Sequence, residues 1–268
     1  MHILVTNDDG VLAPGLLALA QAMRPLGQVT VLAPERNWSA SGHVKTLDKP
    51  LRVKEVRLAD GSPALSCDGA PSDCVALAAL SLLPEPVNLV VSGINPNLNI
   101  GHDVTYSGTV TAVMEAVING LPGIAFSQDT PARYAAAPDF STAALAARQV
   151  VQTAIDNGLP ADLLLSVNIP YLPYAQIKGF NLTRQGLRIY RDQLLKRLDP
   201  RQRPYYWIGG EEPTALLEEG TDMAAVKDGY VSITPLHLDL TDYHAQQSLN
   251  AWGWASHGAN LTKKVLDS

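Results

Sequence analysis

The sequence contains short apolar, β-branched runs that end abruptly in small polar residues. Residues 3–6 stop before an asparagine, residues 89–91 before a serine, and residues 163–167 before another asparagine. Runs of this length and composition predict buried strands. Between them, apolar residues recur at helical spacing. Because strands and helices alternate along the chain, the pattern predicts a parallel sheet.

We therefore predict an α/β fold of the Rossmann-like kind, a mostly parallel, doubly wound sheet with helices on both faces. Residues 1–183 carry this pattern and are predicted to form the core. Basic and then aromatic residues crowd the next stretch, so residues 184–222 are predicted to form a protruding hairpin arm that contacts another subunit. Residues 223–268 would supply a strand and a helical tail that complete the fold or are exchanged between subunits. The alternative is that arm and tail pack on their own domain.

Composition excludes several classes of protein. The 268 residues carry 26 acidic and 20 basic side chains, a net charge of −6, which argues against a long nucleic acid as partner. No apolar run approaches the roughly 20 residues of a membrane helix, and the N-terminus lacks the pattern of a secretory signal. Cys67 and Cys74 fit neither a disulfide framework nor a zinc site. We expect a cytoplasmic protein.

Oxygen-bearing side chains cluster where the predicted strands end. In an open parallel sheet, ligands bind outside the carboxyl ends of the strands. The side chains found there include those of Asn7, Asp8, Asp9, Ser39, Ser92, Asn95, Asn99, Asp103, Ser127 and Asn168. Two adjacent carboxylates with hydroxyl and amide oxygens suit magnesium, manganese or calcium rather than zinc or copper.

Asp8 and Asp9 are the most informative pair in this set. Neighbouring carboxylates repel each other, so bringing both to one point is unfavourable without a cation. Successive side chains leave an extended strand on opposite faces, but a turn at Gly10 would let the two converge. The alternative is that one aspartate caps the following helix and the other faces solvent.

Residues 106–109, Tyr-Ser-Gly-Thr, precede or open a predicted helix. Free N–H groups in a first helical turn, beside hydroxyl groups, can hold a phosphate without basic residues. The alternative is that the serine or threonine only caps the helix. The dinucleotide-binding fingerprint, the P-loop lysine and the Gly-x-Ser-x-Gly nucleophile elbow are all missing from the sequence.

Taken together, these motifs resemble the SurE family of phosphatases, which act on nucleoside monophosphates. The matching segments are residues 3–10 with 13–15, residues 33–34 with Ser39 and 41–42, residues 69–75, residues 90–95 through 103–110, and residues 221–222, 225–226 and 229–236. The most specific of them is the segment that runs from residue 90 to residue 110. The matches span nearly the whole chain.

The resemblance implies one divalent metal ion per subunit, Mg²⁺ or Mn²⁺. Its implied ligands are Asp8, Asp9, Ser39 and Asn95. The residues it implies around the phosphate are Asn99, Asp103, Ser107, Gly108 and Thr109. The family usually has a glycine two residues after the metal-binding asparagine, where this chain has Asn97.

The function implied by the resemblance is hydrolysis of nucleoside 5′- or 3′-monophosphates to nucleoside and phosphate. Asp8 or Asp9 would act as the base that orients the attacking water. Two other readings stay open, an enzyme with an aspartyl-phosphate intermediate and a nucleotide-binding regulatory module without turnover. The expected partners are a small nucleotide substrate and further copies of the chain in a homodimer or homotetramer, with no membrane.

Overall fold

The computed structural model describes residues 1–210, 214–252 and 254. Part of the predicted arm, residues 211–213, and the predicted tail beyond residue 254 lie outside the described residues. The chain divides into two compact units, Met1–Leu236 and His237–Ser268. The helices in the described part of the chain are too short or too polar to cross a membrane.

The first unit alternates strands and helices in the order that the sequence pattern predicts. Its strands are β1 (His2–Thr6), β2 (Gln28–Pro34), β3 (Val53–Arg57), β4 (Pro63–Cys67), β5 (Leu89–Asn95), β6 (Gly123–Gln128), β7 (Leu164–Ile169), β8 (Phe180–Leu182), β9 (Arg188–Ile189), β10 (Asp192–Leu198), β11 (Pro204–Gly210), β12 (Thr214–Ala215) and β13 (Val231–Pro235). Its helices are α1 (Pro14–Met23), α2 (Pro71–Leu77), α3 (Gly108–Ile118), α4 (Ser141–Asp156) and α5 (Asp222–Lys227). In the second unit, α6 spans Tyr243–Leu249.

Within the described residues, the main sheet has nine strands in the order β3-β4-β2-β1-β5-β6-β7-β13-β8. The six strands from β4 to β7 are parallel. The edge strand β3 runs antiparallel to β4, and β13, next to the other edge, runs antiparallel to β7. The chain moves outward from β1 to β2 in one direction and from β5 to β7 in the other. Ligands of doubly wound folds bind at such a reversal, here between β1 and β5.

Helices cover both faces of this sheet, as predicted. Alternate residues of β1 point to opposite faces, so that Ile3 belongs to one buried cluster and Leu4 to the other. The first cluster includes Leu16 of α1 and Ala147 of α4. The second includes residues of α2 and α3, among them Val110. The fold is therefore the predicted Rossmann-like α/β arrangement.

An antiparallel hairpin, β10 with β11, occupies the middle of the predicted arm. Its register pairs Asp192 with Gly210 at one end and Leu198 with Pro204 at the other. All but one of its strand residues are exposed. The hairpin confirms the predicted secondary structure of the arm, while its role between subunits and the division at residues 183 and 222 stay predictions.

Candidate metal and phosphate site

A tight turn follows β1 and places Asp8 and Asp9 at the carboxyl edge of the sheet. The Asn7 side chain closes this turn, because its Nδ2 donates to the carbonyl oxygen of Gly10 (3.1 Å) and its Oδ1 accepts from the Gly10 N–H (3.2 Å). Gly10 has a φ of +106°, a left-handed conformation that favours glycine. The turn that the sequence predicted at Gly10 is present. The N-cap of α1 is Ala13, so neither aspartate caps that helix.

Asp8 contacts the start of α3, although the two lie far apart in sequence. Its Oδ1 accepts a 2.5 Å hydrogen bond from the Thr109 hydroxyl. A Cβ atom built on Gly108 would lie 2.6 Å from the Cβ of Asp8, so only glycine allows this approach. Asp8 is 4% exposed. The structure therefore brings together three of the predicted site residues, Asp8, Gly108 and Thr109.

Asp8, which is buried, and Asp9, which is half-buried, form an acidic pair. Burial raises the pKa of Asp8, against the lowering effect of hydrogen bonds from the Thr109 side chain and from the backbone of α3. Burial, and secondarily the charge of Asp8, raises the pKa of Asp9 to about 7. Two negative charges at this point are thus unfavourable on their own, and a cation between them would relieve the repulsion.

The chemistry of the donor set fits a hard divalent cation. Within the described residues, no three His, Cys, Asp or Glu side chains come together in a way that could hold a metal ion. Ser39 and Asn95, the further ligands that the resemblance implies beside Asp8 and Asp9, would add neutral oxygens, and their role as ligands stays a prediction. Such an oxygen-rich set suits Mg²⁺ or Mn²⁺.

The first turn of α3 has the properties of an anion site. Ser107 is its N-cap, and the Ser107 Oγ accepts from the N–H of Val110 at 3.1 Å. The cap that the sequence analysis kept as an alternative is therefore real. The backbone N–H groups of Gly108 and Thr109 act on the Asp8 carboxylate and partly offset the rise in its pKa that burial causes. Both the cap and an anion-facing helix end occur at residues 107–109.

The loop after β2 brings Ser39 to the neighbourhood of Asp8. The Trp38 N–H donates to the backbone carbonyl oxygen of Asp8 at 2.7 Å. Ser39 is the next residue, and its own N–H donates to Oδ1 of Asn37 at 2.7 Å. Ser39 is exposed, and its role as a metal ligand stays a prediction.

Asn95 ends β5, next to β1 in the sheet. It pairs in register with Ser127 of β6, and its Nδ2 donates to the carbonyl oxygen of Asn97 at 2.5 Å. Among the described residues, the non-glycine residues with positive φ are Ala40, Ser81 and Gln202. Asn97 thus needs no left-handed backbone, and this loop accommodates the departure from the family's usual glycine.

Asn99 ties the following loop to the ends of β6 and β7. Its Nδ2 donates to the Ser127 hydroxyl at 2.8 Å, and its N–H donates to Oδ1 of Asn168 at 2.9 Å. The Asn168 side chain returns a hydrogen bond to the Asn99 carbonyl oxygen at 3.0 Å. Asn99 therefore has a structural role in shaping the loop, and its predicted contact with phosphate stays a prediction.

Asp103 faces a cation from the base of the arm. Its Oδ2 lies 2.9 Å from Nε of Arg188, and both side chains are largely buried. Burial raises the pKa of Asp103, and Arg188 partly offsets that rise. An ionised Asp103 would repel phosphate, so Arg188 is the more suitable of the two for contacting an anion. The sequence showed a crowd of basic residues here but gave no signal as to which one turns inward.

Asp222 and Glu115 are buried acidic residues that the sequence analysis did not assign to the site. Asp222 Oδ2 accepts from the N–H of Gly101 (2.8 Å), and its Oδ1 accepts from that of Gly186 (2.9 Å). It thereby joins the loop before α3 to the base of the arm. Asp222 could have been identified from the sequence because it lies in one of the segments that match the SurE family, residues 221–222. The signal of Glu115 was a single charge in the otherwise apolar stretch of residues 110–118.

Comparisons with known proteins identify the family of the chain. The family model described as Survival protein SurE matches residues 3–192. The chain is 51% identical to the 5′-nucleotidase SurE of Chloroflexus aggregans, over 95% of this chain and 100% of that protein. It is 54% identical to the 5′-nucleotidase SurE of Herpetosiphon aurantiacus, over 95% and 99% of the two chains. The crystal structure of the SurE protein from Aquifex aeolicus superposes with a TM-score of 0.79 at 41% identity, over 94% of this chain and 99% of that one. The chain belongs to the SurE family.

Proposed function

We propose that this chain hydrolyses nucleoside 5′- or 3′-monophosphates to nucleoside and phosphate in a metal-dependent reaction. The observation that carries the proposal is the contact of the buried Asp8 with the first turn of α3, beside Asp9. This contact places Asp8 and Asp9, which would bind the cation, beside the first turn of α3, which would bind the phosphate. Relatives that are 51% and 54% identical over 95% of this chain are named 5′-nucleotidase SurE. Their name favours an enzyme over a regulatory module that binds nucleotides without turnover.

In this proposal, Asp8, Asp9, Ser39 and Asn95 hold one divalent cation per subunit, Mg²⁺ or Mn²⁺. When bound, the cation would offset charge on the phosphate and lower the pKa of a bound water. The Thr109 hydroxyl fixes the orientation of Asp8, so we assign Asp8 to ligation. Asp9 is less buried, and we assign to it the orientation of the attacking water.

The phosphate would lie against the first turn of α3. Gly108 and Thr109 would border its oxygens, with the capping Ser107 holding the turn in shape. Asn99 and Asp103 would border the phosphate, and Arg188 would supply positive charge. This local charge suits an anionic substrate despite the net charge of −6.

The protein is proposed to be a cytoplasmic homo-oligomer. The exposed hairpin, β10 with β11, would join subunits into a homodimer or homotetramer. The net charge of −6 disfavours long nucleic acids as partners. The two cysteines, Cys67 and Cys74, are free and buried, which supports a reducing, cytoplasmic location. Fractionation of cells that express the tagged chain tests the location.

The direct test of the reaction is a panel of nucleoside 5′- and 3′-monophosphates, each assayed for free phosphate with Mg²⁺, Mn²⁺, Ca²⁺ or EDTA. We expect release from at least one monophosphate with Mg²⁺ or Mn²⁺ and none with EDTA. Binding without release would support the regulatory module instead. A trapped phosphoaspartate would support the covalent mechanism.

A further inference from the structure

A buried carboxylate at the middle of α3 has partners that the proposed reaction does not use. Glu115 is 2% exposed. Its Oε2 accepts from Nε2 of His43 at 3.0 Å, and its Oε1 accepts from Nζ of Lys45 at 2.9 Å. The Asn119 side chain, one turn further along α3, donates to Oε1 at 3.0 Å. The carboxylate is therefore satisfied chiefly by two side chains from outside its helix.

Both of those side chains belong to the loop that follows β2. The same part of the loop also contacts the residues just before α3, since the Gly42 N–H donates to the Tyr106 carbonyl oxygen at 3.0 Å. The Thr111 hydroxyl donates to the Gly42 carbonyl oxygen at 3.1 Å. Glu115 thus anchors the far end of the loop to the helix whose first turn contacts Asp8.

The near end of the loop is anchored at Asp8 itself, through the Trp38 N–H. Between the two anchors lie Ser39 and a turn in which Ala40 has a φ of +58° and Gly42 a φ of +64°. A non-glycine residue in the left-handed region is strained and persists only where its surroundings hold it. The conformation around Ser39 therefore depends on the anchors at both ends.

The burial of Glu115 is costly unless its charge is compensated. Burial raises its pKa, but hydrogen bonds from His43, Lys45 and Asn119 outweigh that effect and lower the pKa to about 2. Packing alone would need only an apolar side chain, as at Val113 and Ala116 on the same helix. The charged residue instead provides directional contacts to the loop.

We propose that Glu115 is a positioning residue that holds the loop 37–45, through His43 and Lys45, in the conformation that presents Ser39 to the metal. This inference rests on the proposed function, because Ser39 is a ligand only there. Glu115 touches neither metal nor substrate in this account. It acts by restraining the loop between α3 and Asp8.

The test is Mn²⁺ binding without substrate, followed by the electron paramagnetic resonance signal of free Mn²⁺. Glu115→Gln removes the charge and leaves one acceptor oxygen where His43 and Lys45 each donate to an oxygen of the carboxylate. We expect the Mn²⁺ dissociation constant to rise about 10-fold, the effect typical of residues that orient metal ligands. The matched control is Thr183→Val, which removes buried hydrogen bonds to Ser232 and Thr234 far from the loop in sequence. We expect it to lower thermal stability and leave the dissociation constant unchanged.

A second measurement is trypsin cleavage after the exposed Arg36 and Lys45. Glu115→Gln should be cut faster there than the wild-type protein and the Thr183→Val control, with the rest of the chain intact. If Glu115→Gln fails to fold, His43→Asn, which changes a partly exposed partner, should give the same two effects in weaker form.

Several outcomes would overturn the inference. One is a folded Glu115→Gln variant with wild-type Mn²⁺ affinity and wild-type trypsin cleavage. If Glu115→Gln does not fold, a His43→Asn variant that shows neither effect would overturn it. A wild-type protein that binds no Mn²⁺ would overturn it as well. Failure of the proposed function is distinguishable. In that case the wild-type protein would release no phosphate, while Glu115→Gln would still weaken Mn²⁺ binding.

Discussion

At the residue scale, the site depends on the close approach of Asp8 to the first turn of α3. Two features permit it, the missing side chain of Gly108 and the hydroxyl of Thr109. Both residues were identified from the sequence as candidates near phosphate. Their contact with Asp8 was not predictable, because it joins segments 101 residues apart and depends on how the strands are ordered in the sheet.

Gly108→Ala should damage the site while leaving the helix intact. Alanine is the better helix former, but its Cβ would lie 2.6 Å from that of Asp8 and push the carboxylate aside. We expect kcat for phosphate release to fall by about 10-fold or more, with unchanged circular dichroism. Gly209→Ala is the matched control, since its Cβ would meet only a Leu195 side-chain atom at 3.6 Å. Equal activity of the two variants would contradict the role of the contact.

The charge of Glu115 should appear in the pH dependence of stability. Its pKa is lowered from 4.5 to about 2 in the folded state, so its stabilisation is fully present above pH 4.5 and is lost as the pH falls through about 2. A shift of this size corresponds to about 3 kcal/mol. The free energy of unfolding of wild type minus that of Glu115→Gln, from urea titrations, should shrink by about that amount over this range. A difference that does not change with pH would refute the pKa assignment.

At the scale of elements, the loops around the site are held by buried acidic residues from elsewhere in the chain. Glu115 holds the loop after β2, and Asp222 holds the loop before α3 against Gly186. The strands and helices themselves follow from local apolar patterns, which is why the sequence predicts them. These loop contacts are hydrogen bonds between residues far apart in sequence, so local sequence patterns do not predict them.

Asp222→Asn should loosen the loop before α3. An amide offers one acceptor oxygen where the carboxylate offers two, so either the Gly101 or the Gly186 N–H loses its partner. We expect a loss of about 1–3 kcal/mol in the free energy of unfolding. The KM for the nucleotide should rise, while the Mn²⁺ dissociation constant stays the same. Asp228→Asn, at an exposed position after α5, is the control. It should change neither the free energy of unfolding nor the KM. A KM equal to that of wild type would argue against this loop as part of the phosphate site.

At the scale of the whole molecule, the parallel core and the helices on both faces were predictable because each strand is apolar throughout and each helix has one buried side. The edges were not predictable in the same way. β13 is the strand predicted within residues 223–268, but its antiparallel direction, like that of β3, depends on pairing with a distant strand. The hairpin was predictable as an element, but its sequence does not reveal what it contacts.

The exposed hairpin should control the number of subunits. Trp207 and Ile208 are 63% and 79% exposed, an unfavourable arrangement for a lone chain. Replacing both by serine should lower the mass measured by analytical ultracentrifugation. Leu47→Ser, which changes another exposed apolar residue outside the hairpin, should leave the mass unchanged. A wild-type protein that is already monomeric would contradict the proposed assembly.

The most direct test of metal-dependent hydrolysis at Asp8 compares Mn²⁺-dependent phosphate release by the wild-type chain and by Asp8→Asn. We expect release by the wild type, its loss on addition of EDTA, and a fall of about 1,000-fold or more in Asp8→Asn with its fold retained. Substantial release by a folded Asp8→Asn variant, or release by the wild type that EDTA does not affect, would contradict it.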